Sequence, residues 1–370
     1  MSEPLIDVIL PAYNAAGTLR DSVISLQAQT ERRFRIIIVD DGSTDRTGEV
    51  IEALAADDPR ILVITTENCG IVDALNTALG AVAAPFVARL DADDICFPNR
   101  FQNQLAYLAD HPDCVAVGCN VWHIDETGER TGGRSTFLEQ VTSDPYWAPC
   151  VEPYLMHPFL MARTKAIRDI GGYRYAFHAE DTDLYWRLAG MGRLHNLPDL
   201  LGEYRMHTKS ISGASVINGR ISAINSQLSA ISERRRRAGE PDIIFPREAL
   251  RQYEDAGETE AMVDLASRQL TKPERGYLEV ATAAKLLQLS SFRPYSLNKA
   301  DRCFIKAAIA RNHRLLRREN KIKLLLRHIA AHRLKRRKFG ELMELTSPKL
   351  LLSAALDLPG FLFGMARSTR

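Results

Sequence analysis

The chain reads as an α/β protein built on a parallel sheet, followed by a mainly helical, basic C-terminal region, and three observations predict this. Short apolar runs alternate with helical stretches four times before residue 110, as in a parallel sheet covered by helices. The runs are rich in Val and Ile with little polar alternation, as expected of strands buried on both faces. Each run also stops in a polar cluster, and open α/β sheets bind ligands beyond the carboxyl ends of their strands.

The first strand is expected over Leu5 to Leu10, stopping at Pro11-Ala12-Tyr13-Asn14 because Pro has no N–H for a central ladder. A helix follows Asn14, since Leu19, Val23, Ile24 and Leu26 recur at helical spacing. Phe34 to Val39 is the second strand; it ends in Asp40-Asp41, then Gly42-Ser43-Thr44-Asp45 and a helix from Thr47 to Ala56. Ile61 to Thr65, Asn68-Cys69-Gly70 and a helix from Val72 to Val82 repeat the unit. Phe86 to Leu90, Asp91-Ala92-Asp93-Asp94 and a helix from Asn99 to Ala109 complete it. Val115 to Ile124 predicts a further strand with a hairpin turn at Glu126-Thr127-Gly128. Arg130 to Val151 has little periodicity and holds Pro145 and Pro149, so it reads as a long loop of the functional kind.

The apolar run from Pro85 ends in three carboxylates within four residues, Asp91, Asp93 and Asp94. Isolated carboxylates are costly to desolvate and repel one another, so the cluster suits a strand's mouth where a cation balances it. Mg²⁺ and Mn²⁺ prefer oxygen ligands and bridge carboxylates to a substrate diphosphate. An acidic turn before a helix is the plainer use of the same residues, because Asp is favoured at helix starts. The coincidence of four polar strand ends facing one crevice favours a nucleotide-diphosphate site. No G-x-G-x-x-G and no G-x-x-x-x-G-K-[ST] follows these strands, which counts against a dinucleotide-binding or P-loop site.

Taken together, Pro11-x-Tyr13-Asn14, Asp40-Asp41-Gly42-Ser43-Thr44-Asp45, Asn68-x-Gly70 with Ala74-Leu75-Asn76, and Asp91-Ala92-Asp93-Asp94 resemble the successive motifs of family 2 glycosyltransferases. Order and spacing match over about the first 210 residues. The resemblance implies a GT-A nucleotide-diphospho-sugar transferase fold, with inverting transfer of a sugar from a nucleotide sugar, usually UDP-linked, to an acceptor hydroxyl, and a divalent cation (Mn²⁺ or Mg²⁺). By position it implies a nucleotide-sugar pocket of Pro11, Tyr13, Asn14, Asp40, Asn68, Gly70, Asp91 and Ala92, with Tyr13 on the uracil face, Asp40 accepting from its imide N–H and Asp91 near the ribose. Asp93 would bind the metal. Where many relatives carry Arg in the Ala74-Leu75-Asn76 helix, this chain has Leu75, with Asp73 nearby.

A second constellation runs from Met156-His157-Pro158 through Gly171-Gly172-Tyr173 to Glu180-Asp181-Thr182-Asp183-Leu184-Tyr185-Trp186-Arg187-Leu188. Leu184 and Leu188 lie one helical turn apart, which leaves Glu180 and Asp181 at a helix N-terminus, where the macrodipole favours carboxylates. Inverting transfer needs a base within hydrogen-bond reach of the attacking oxygen. The E-D-x-D-L-x-x-R-L run resembles the family's catalytic segment, which implies Asp181 as base and Glu180 as its support or an acceptor ligand. Gly202 to His207 is a closing strand, and the resemblance makes His207 a further metal ligand. His157 falls near the acceptor side without a role.

Beyond about Ala214 the composition shifts to Ala, Leu, Arg and Gln, which divides the chain into a catalytic domain over 1–214 and a helical region over 215–370. Arg234 to Arg237 marks a helix end before Gly239 and Pro241, and Arg247 to Leu289 suggests paired helices. The net charge of +2 hides an asymmetry, because residues 301–340 hold fourteen Lys and Arg against Asp301 and Glu319. A basic amphipathic helix over Arg311 to Phe339, with Leu350 to Met365 beside it, suggests contact with an anionic membrane surface. A solvated helix packed on the catalytic domain is the plainer alternative. Nucleic acid is not expected as a partner, since no aromatics interleave with the basic residues.

With 45% hydrophobic and 25% charged residues the composition is that of a globular protein. No apolar run approaches the roughly 18 to 20 residues of a membrane-spanning helix, and Met1 to Asp7 lacks a signal-peptide layout. A cytoplasmic location is therefore expected, peripheral on the inner face of the cell membrane. The six cysteines lack C-x-x-C pairing, which predicts reduced thiols and no zinc site. The expected function is a glycosyltransferase making cell-surface or exopolysaccharide glycan on a glycan or lipid-linked acceptor. A nucleotidyltransferase of related α/β architecture, or a non-catalytic membrane or RNA scaffold, is the alternative.

Overall fold

The computed structural model describes residues 3–206, 215–292 and 296–312. His207 and the basic stretch beyond residue 312, with Leu350 to Met365, lie outside the described residues. The chain divides into two compact units: one of residues up to 142 with 153–175 and 180–206, the other of 143–152, 176–179 and the described residues from 215.

The first unit holds a mixed sheet. Strands β1 (Ile6–Ala12), β2 (Phe34–Asp41), β3 (Ile61–Thr66) and β4 (Phe86–Arg89) pair in parallel in the order β3-β2-β1-β4. The sheet is not parallel throughout: β8 (Met161–Arg163) is antiparallel to both β4 and β6 (Cys114–Ile124), and the path continues through β9 (Arg193–Arg205) to the two-residue β5 (Ile95–Cys96). The edge strand β7 (Arg130–Ser135) lies off this path, paired antiparallel to β6.

Successive β1 residues point to opposite faces. Ile6, Val8 and Leu10 join a core with α1 (Leu19–Gln27), α2 (Thr47–Asp57) and α4 (Arg100–Asp110), through Leu26, Leu54 and Phe101. Ile9 and the β2 residues Ile37 and Val39 join a second core with α3 (Ile71–Ala81), α5 (Thr164–Asp169) and α6 (Glu180–Ala189), through Leu75, Ile167 and Leu184. Burial on both faces explains the near-continuous apolar runs.

Two expectations need correction. Strand β1 does not stop at Pro11 but runs to Ala12, with Pro11 opposite Val39. The carbonyl of Ile9 accepts from Leu90 N, so Pro11, two residues on, also faces the β4 side, where pairing has ended at Ile9 and Arg89. Its missing N–H therefore costs no ladder bond. The segment after Arg130 is not all loop, because Arg130–Ser135 pairs with β6. Its sequence RTGGRS has no apolar side chain and no buried residue; pairing and surface contacts such as Arg130 with Glu203 and Ser135 with His123 hold it, and no alternation announces it.

The second unit is helical: α7 (Val216–Ala238), α8 (Ala249–Ala256), α9 (Thr259–Ala266), α10 (Lys272–Phe292) and α11 (Lys299–Arg311). Helix α7 starts with Ser215 accepting from Asn218 N and ends at Gly239, φ +69°, the left-handed stop that glycine adopts without strain. Helix α11 begins with a reciprocal capping box between Asn298 and Asp301. No described helix is long and apolar enough to cross a membrane. All six cysteines are unpaired, with Cys69 and Cys303 exposed.

Candidate active site

The parallel strands β1 to β4 bring their carboxyl ends to one edge, and hydrogen bonds lock the loops there together. Asn14, in the left-handed region at φ 50°, accepts at Oδ1 from Thr44 N at 2.8 Å, while its own N–H donates to Ser43 Oγ at 3.0 Å. The β1 and β2 loops are thereby fixed to each other. Asp40 is buried, and its Oδ1 accepts from Ser43 N at 3.0 Å. Its neighbour Asp41 accepts from Cys69 N at 2.9 Å and Gly70 N at 2.8 Å, which ties the Asn68-Cys69-Gly70 loop to β2. Gly42, φ +68°, completes this join: a Cβ there would sit 2.5 Å from Asn68 N. Tyr13 stands 52% exposed on the rim, Asn68 is exposed, and Pro11 is buried. Asn14 and Asp41 thus serve the loops themselves, and Tyr13, Asp40 and Asn68 lie around the same edge.

The acidic run sits just beyond β4. Asp91, Asp93 and Asp94 bring carboxylate oxygens within 4.8 Å of one another. Asp94 is buried; one oxygen accepts from Arg205 N at 2.8 Å, while Oδ2 is buried without a hydrogen-bond partner. Arg205 also donates from Nε to the Asp93 carbonyl at 2.9 Å, so the end of β9 braces the loop. Burial raises the Asp91 carboxyl above its ordinary range against the pull of Arg89, with Asp93 adding to the rise. Burial, then Asp93 and Asp91, raise Asp94 further. Clustered carboxylates of this kind, one with an orphaned oxygen, form a hard-oxygen donor set that fits Mg²⁺ or Mn²⁺. Ala92 packs its side chain into the core.

Arg89 is the residue the sequence did not single out. Its guanidinium is almost wholly buried, with Nη2 2.7 Å from Asp91 Oδ1, and Nε and Nη1 have no hydrogen-bond partner. A charged side chain inside a strand buried on both faces was the available signal.

Glu180 and Asp181 open α6. Asp181 Oδ1 accepts from Thr182 N at 2.7 Å. Glu180 Oε2 is buried without a hydrogen-bond partner, and burial, then Asp181, raise its pKa. Glu180 interacts electrostatically with Arg89 and Asp91, so the start of α6 and the end of β4 share one electrostatic environment. Asp183 plays a different part: wholly buried, it receives Arg187 Nε at 2.8 Å and Arg174, while Arg187 Nη1 donates to the Ile170 and Gly172 carbonyls. That clamp fixes the loop leading to α6. Asn76 holds the same loop through reciprocal 2.9 Å bonds with Tyr173, and Asp73 accepts from Tyr175 OH at 2.8 Å. His157 bonds Tyr173 OH at 2.9 Å, and burial, with Arg89 adding, drives its pKa well below the usual imidazole range.

Comparison with known proteins fits this geometry. The sequence model of Glycosyl transferase family 2 matches residues 7–171. The putative glycosyltransferase EpsE of Bacillus subtilis is 33% identical over 210 residues, covering 55% of this chain and 74% of its own. The amylovoran biosynthesis glycosyltransferase AmsE of Erwinia amylovora is 29% identical over 220 residues, covering 58% of this chain and 79% of its own. Among solved structures, S. aureus TarS 1-349 in complex with UDP-GlcNAc shares the fold at a TM-score of 0.52 and 15% identity, over 95% of this chain and 91% of that one.

Proposed function

Because the chain belongs to glycosyl transferase family 2, and is a glycosyltransferase of the GT-A fold, we propose that it moves a sugar from a nucleotide sugar, a UDP-sugar by preference, to an acceptor hydroxyl with inversion. The observation that carries this is the convergence of Asp91, Asp93 and Asp94 with the Glu180-Asp181 pair around the carboxyl edge of the sheet.

In this reading Tyr13 stacks on the uracil, Asp40 accepts from its imide N–H, Asn68 and Gly70 border the nucleoside, and Asp91 meets the ribose. Asp93 and His207 hold the metal, and the orphaned oxygen of Asp94 supports the same position. A Mn²⁺ or Mg²⁺ bound there supplies Lewis-acid neutralisation of the charge that develops on the leaving diphosphate. Asp181 takes the proton from the attacking hydroxyl. Glu180, raised by burial, spends part of its time protonated near neutral pH and donates a hydrogen bond to an acceptor oxygen. The acceptor is a glycan or lipid-linked glycan of cell-surface or exopolysaccharide synthesis, reached from the cytoplasmic side, with the basic segment beyond residue 312 meeting an anionic membrane.

The test is nucleotide release from UDP-, GDP- and dTDP-sugars with Mn²⁺ or EDTA, for wild type, Asp181→Asn and Glu180→Gln. Metal-dependent release of one nucleoside diphosphate is expected, with Asp181→Asn lowering kcat by about 10²- to 10⁴-fold and Glu180→Gln by less. Release of pyrophosphate from a nucleoside triphosphate, or full turnover by Asp181→Asn, would overturn the assignment.

A further inference from the structure

Helix α7 carries a run of polar residues where a helix usually carries apolar ones. Asn225, Ser226, Gln227, Ser229 and Ser232 are each at most 2% exposed, although Asn and Ser are poor helix-interior residues because they compete for backbone hydrogen bonds. Buried polar groups require partners, and the partners are of three kinds, Ser232 donating to the Asp242 carboxylate. Ser226 and Ser229 bond carbonyls of their own helix. Asn225 and Gln227 instead hold backbone of the two short segments, 143–152 and 176–179, that belong to the helical unit although the chain on either side of each belongs to the catalytic one. Gln227 Oε1 accepts from Cys150 N at 3.0 Å, and Asn225 Nδ2 donates to the Phe177 carbonyl at 3.0 Å.

The 176–179 segment is a tight turn that needs holding. Ala179 N donates to the Ala176 carbonyl at 2.8 Å, and both alanines are almost fully buried. His178 lies in the left-handed region at φ 60°, a strained position for a side chain with a Cβ, and one that persists only when its surroundings over-determine it. The next residue in the chain is Glu180, followed by Asp181.

We propose that Asn225 is a positioning residue for the transfer reaction: by pinning the Phe177 carbonyl it fixes the turn from which Glu180 and Asp181 emerge. This rests on the reading of Asp181 as the base. The amide is suited to the task, because it gives a directional donor to a carbonyl that the strained turn leaves outside any helix. Misplacement of a catalytic group by about 1 Å is enough to cost about 10²-fold in rate, so a side chain that touches no substrate can govern kcat.

The experiment uses the full chain as wild type, Asn225→Ala and the isosteric Asn225→Asp, with Ser229→Ala as a control one turn along the same helix. The readouts are hydrogen exchange of the amides from 177 to 184, kcat and KM for whichever UDP-, GDP- or dTDP-sugar wild type turns over, and UDP affinity measured in Mn²⁺. Both Asn225 variants should speed exchange in that window selectively and lower kcat by about 10- to 100-fold, with donor KM and UDP affinity within twofold of wild type. Ser229→Ala should leave all of these unchanged. Unchanged exchange, unchanged kcat, or a loss spread over the whole chain and over UDP affinity would overturn the proposal. Wild type without turnover on any donor would overturn the transferase reading and this inference with it, whereas an active wild type whose kcat survives Asn225→Ala overturns this inference alone.

Discussion

Asp301, Glu274 and Glu233 in the helical unit each meet an arginine at 2.7 to 2.8 Å, whereas in the catalytic unit Asp91 meets Arg89 at 2.7 Å but is crowded by Asp93 and Asp94, the three bringing carboxylate oxygens within 4.8 Å of one another. The residue type is the same and the consequence opposite. Arg235 holds Glu274 down at about 2, while burial and like charge raise Asp91, Asp94 and Glu180. A buried acid with its cation in the chain is structure. Buried acids crowded together, with oxygens left over, are what the proposed cation and substrate would meet.

The sharpest way to break that contrast is to remove a paired acid. Asp301 is wholly buried, accepts from Arg220 Nε at 2.8 Å and Thr259 Oγ1 at 2.7 Å, and closes the cap of α11. Asp301→Ala strands the Arg220 guanidinium and should cost about 3 to 5 kcal/mol, read as a lower denaturant midpoint of the helical unit. The pH dependence of the Arg235–Glu274 pair comes next. Because the folded pKa of Glu274 lies below the ordinary 4.5, the pair's stabilisation is fully present above that value and disappears as pH falls toward about 2. Allowing for partial exposure, the loss should be about 2 kcal/mol, and Glu274→Gln should flatten the acid limb of the stability curve.

The smallest effect has the opposite sign. Asp94 is raised, so the metal-free fold binds more protons there than the unfolded chain and loses stability as pH rises. Asp94→Asn should therefore stabilise the metal-free protein by about 1 kcal/mol at pH 8 and leave it unchanged near pH 3, where the carboxyl is protonated in both states. Thermal unfolding in EDTA at the two pH values measures this; destabilisation at pH 8 would place Asp94 with the paired acids.

The same contrast explains what was legible in the sequence. Strands β1, β2 and β4 announce themselves because both faces are buried, as in Phe34 to Val39, and the acids show because carboxylates break so abruptly from an apolar run. Strands β5 and β8 are too short to carry a pattern. Strand β9 contains Pro198 and shifts register against β6 near Cys119 and Asn120, so only its last residues read as a strand. Arg89 stayed hidden because its meaning lies in burial beside Asp91 and Glu180. The work of Asn225 depends on a carbonyl 48 residues away in sequence, a pairing that no local spacing encodes. Asp41, read only as part of the strand-end motif after β2, holds the Asn68 loop.

On the proposed reading, the crowded acids at the edge of the sheet take up a cation and the arginine-paired acids of the helical unit do not. Calorimetric titration with Mn²⁺ in the presence of UDP, on wild type, Asp93→Ala and Glu274→Gln, separates the two kinds of acid. Saturable Mn²⁺ binding is expected, weakened by at least about 10-fold in Asp93→Ala and intact in Glu274→Gln. Absence of Mn²⁺ binding in wild type, or equal binding by Asp93→Ala, would contradict it.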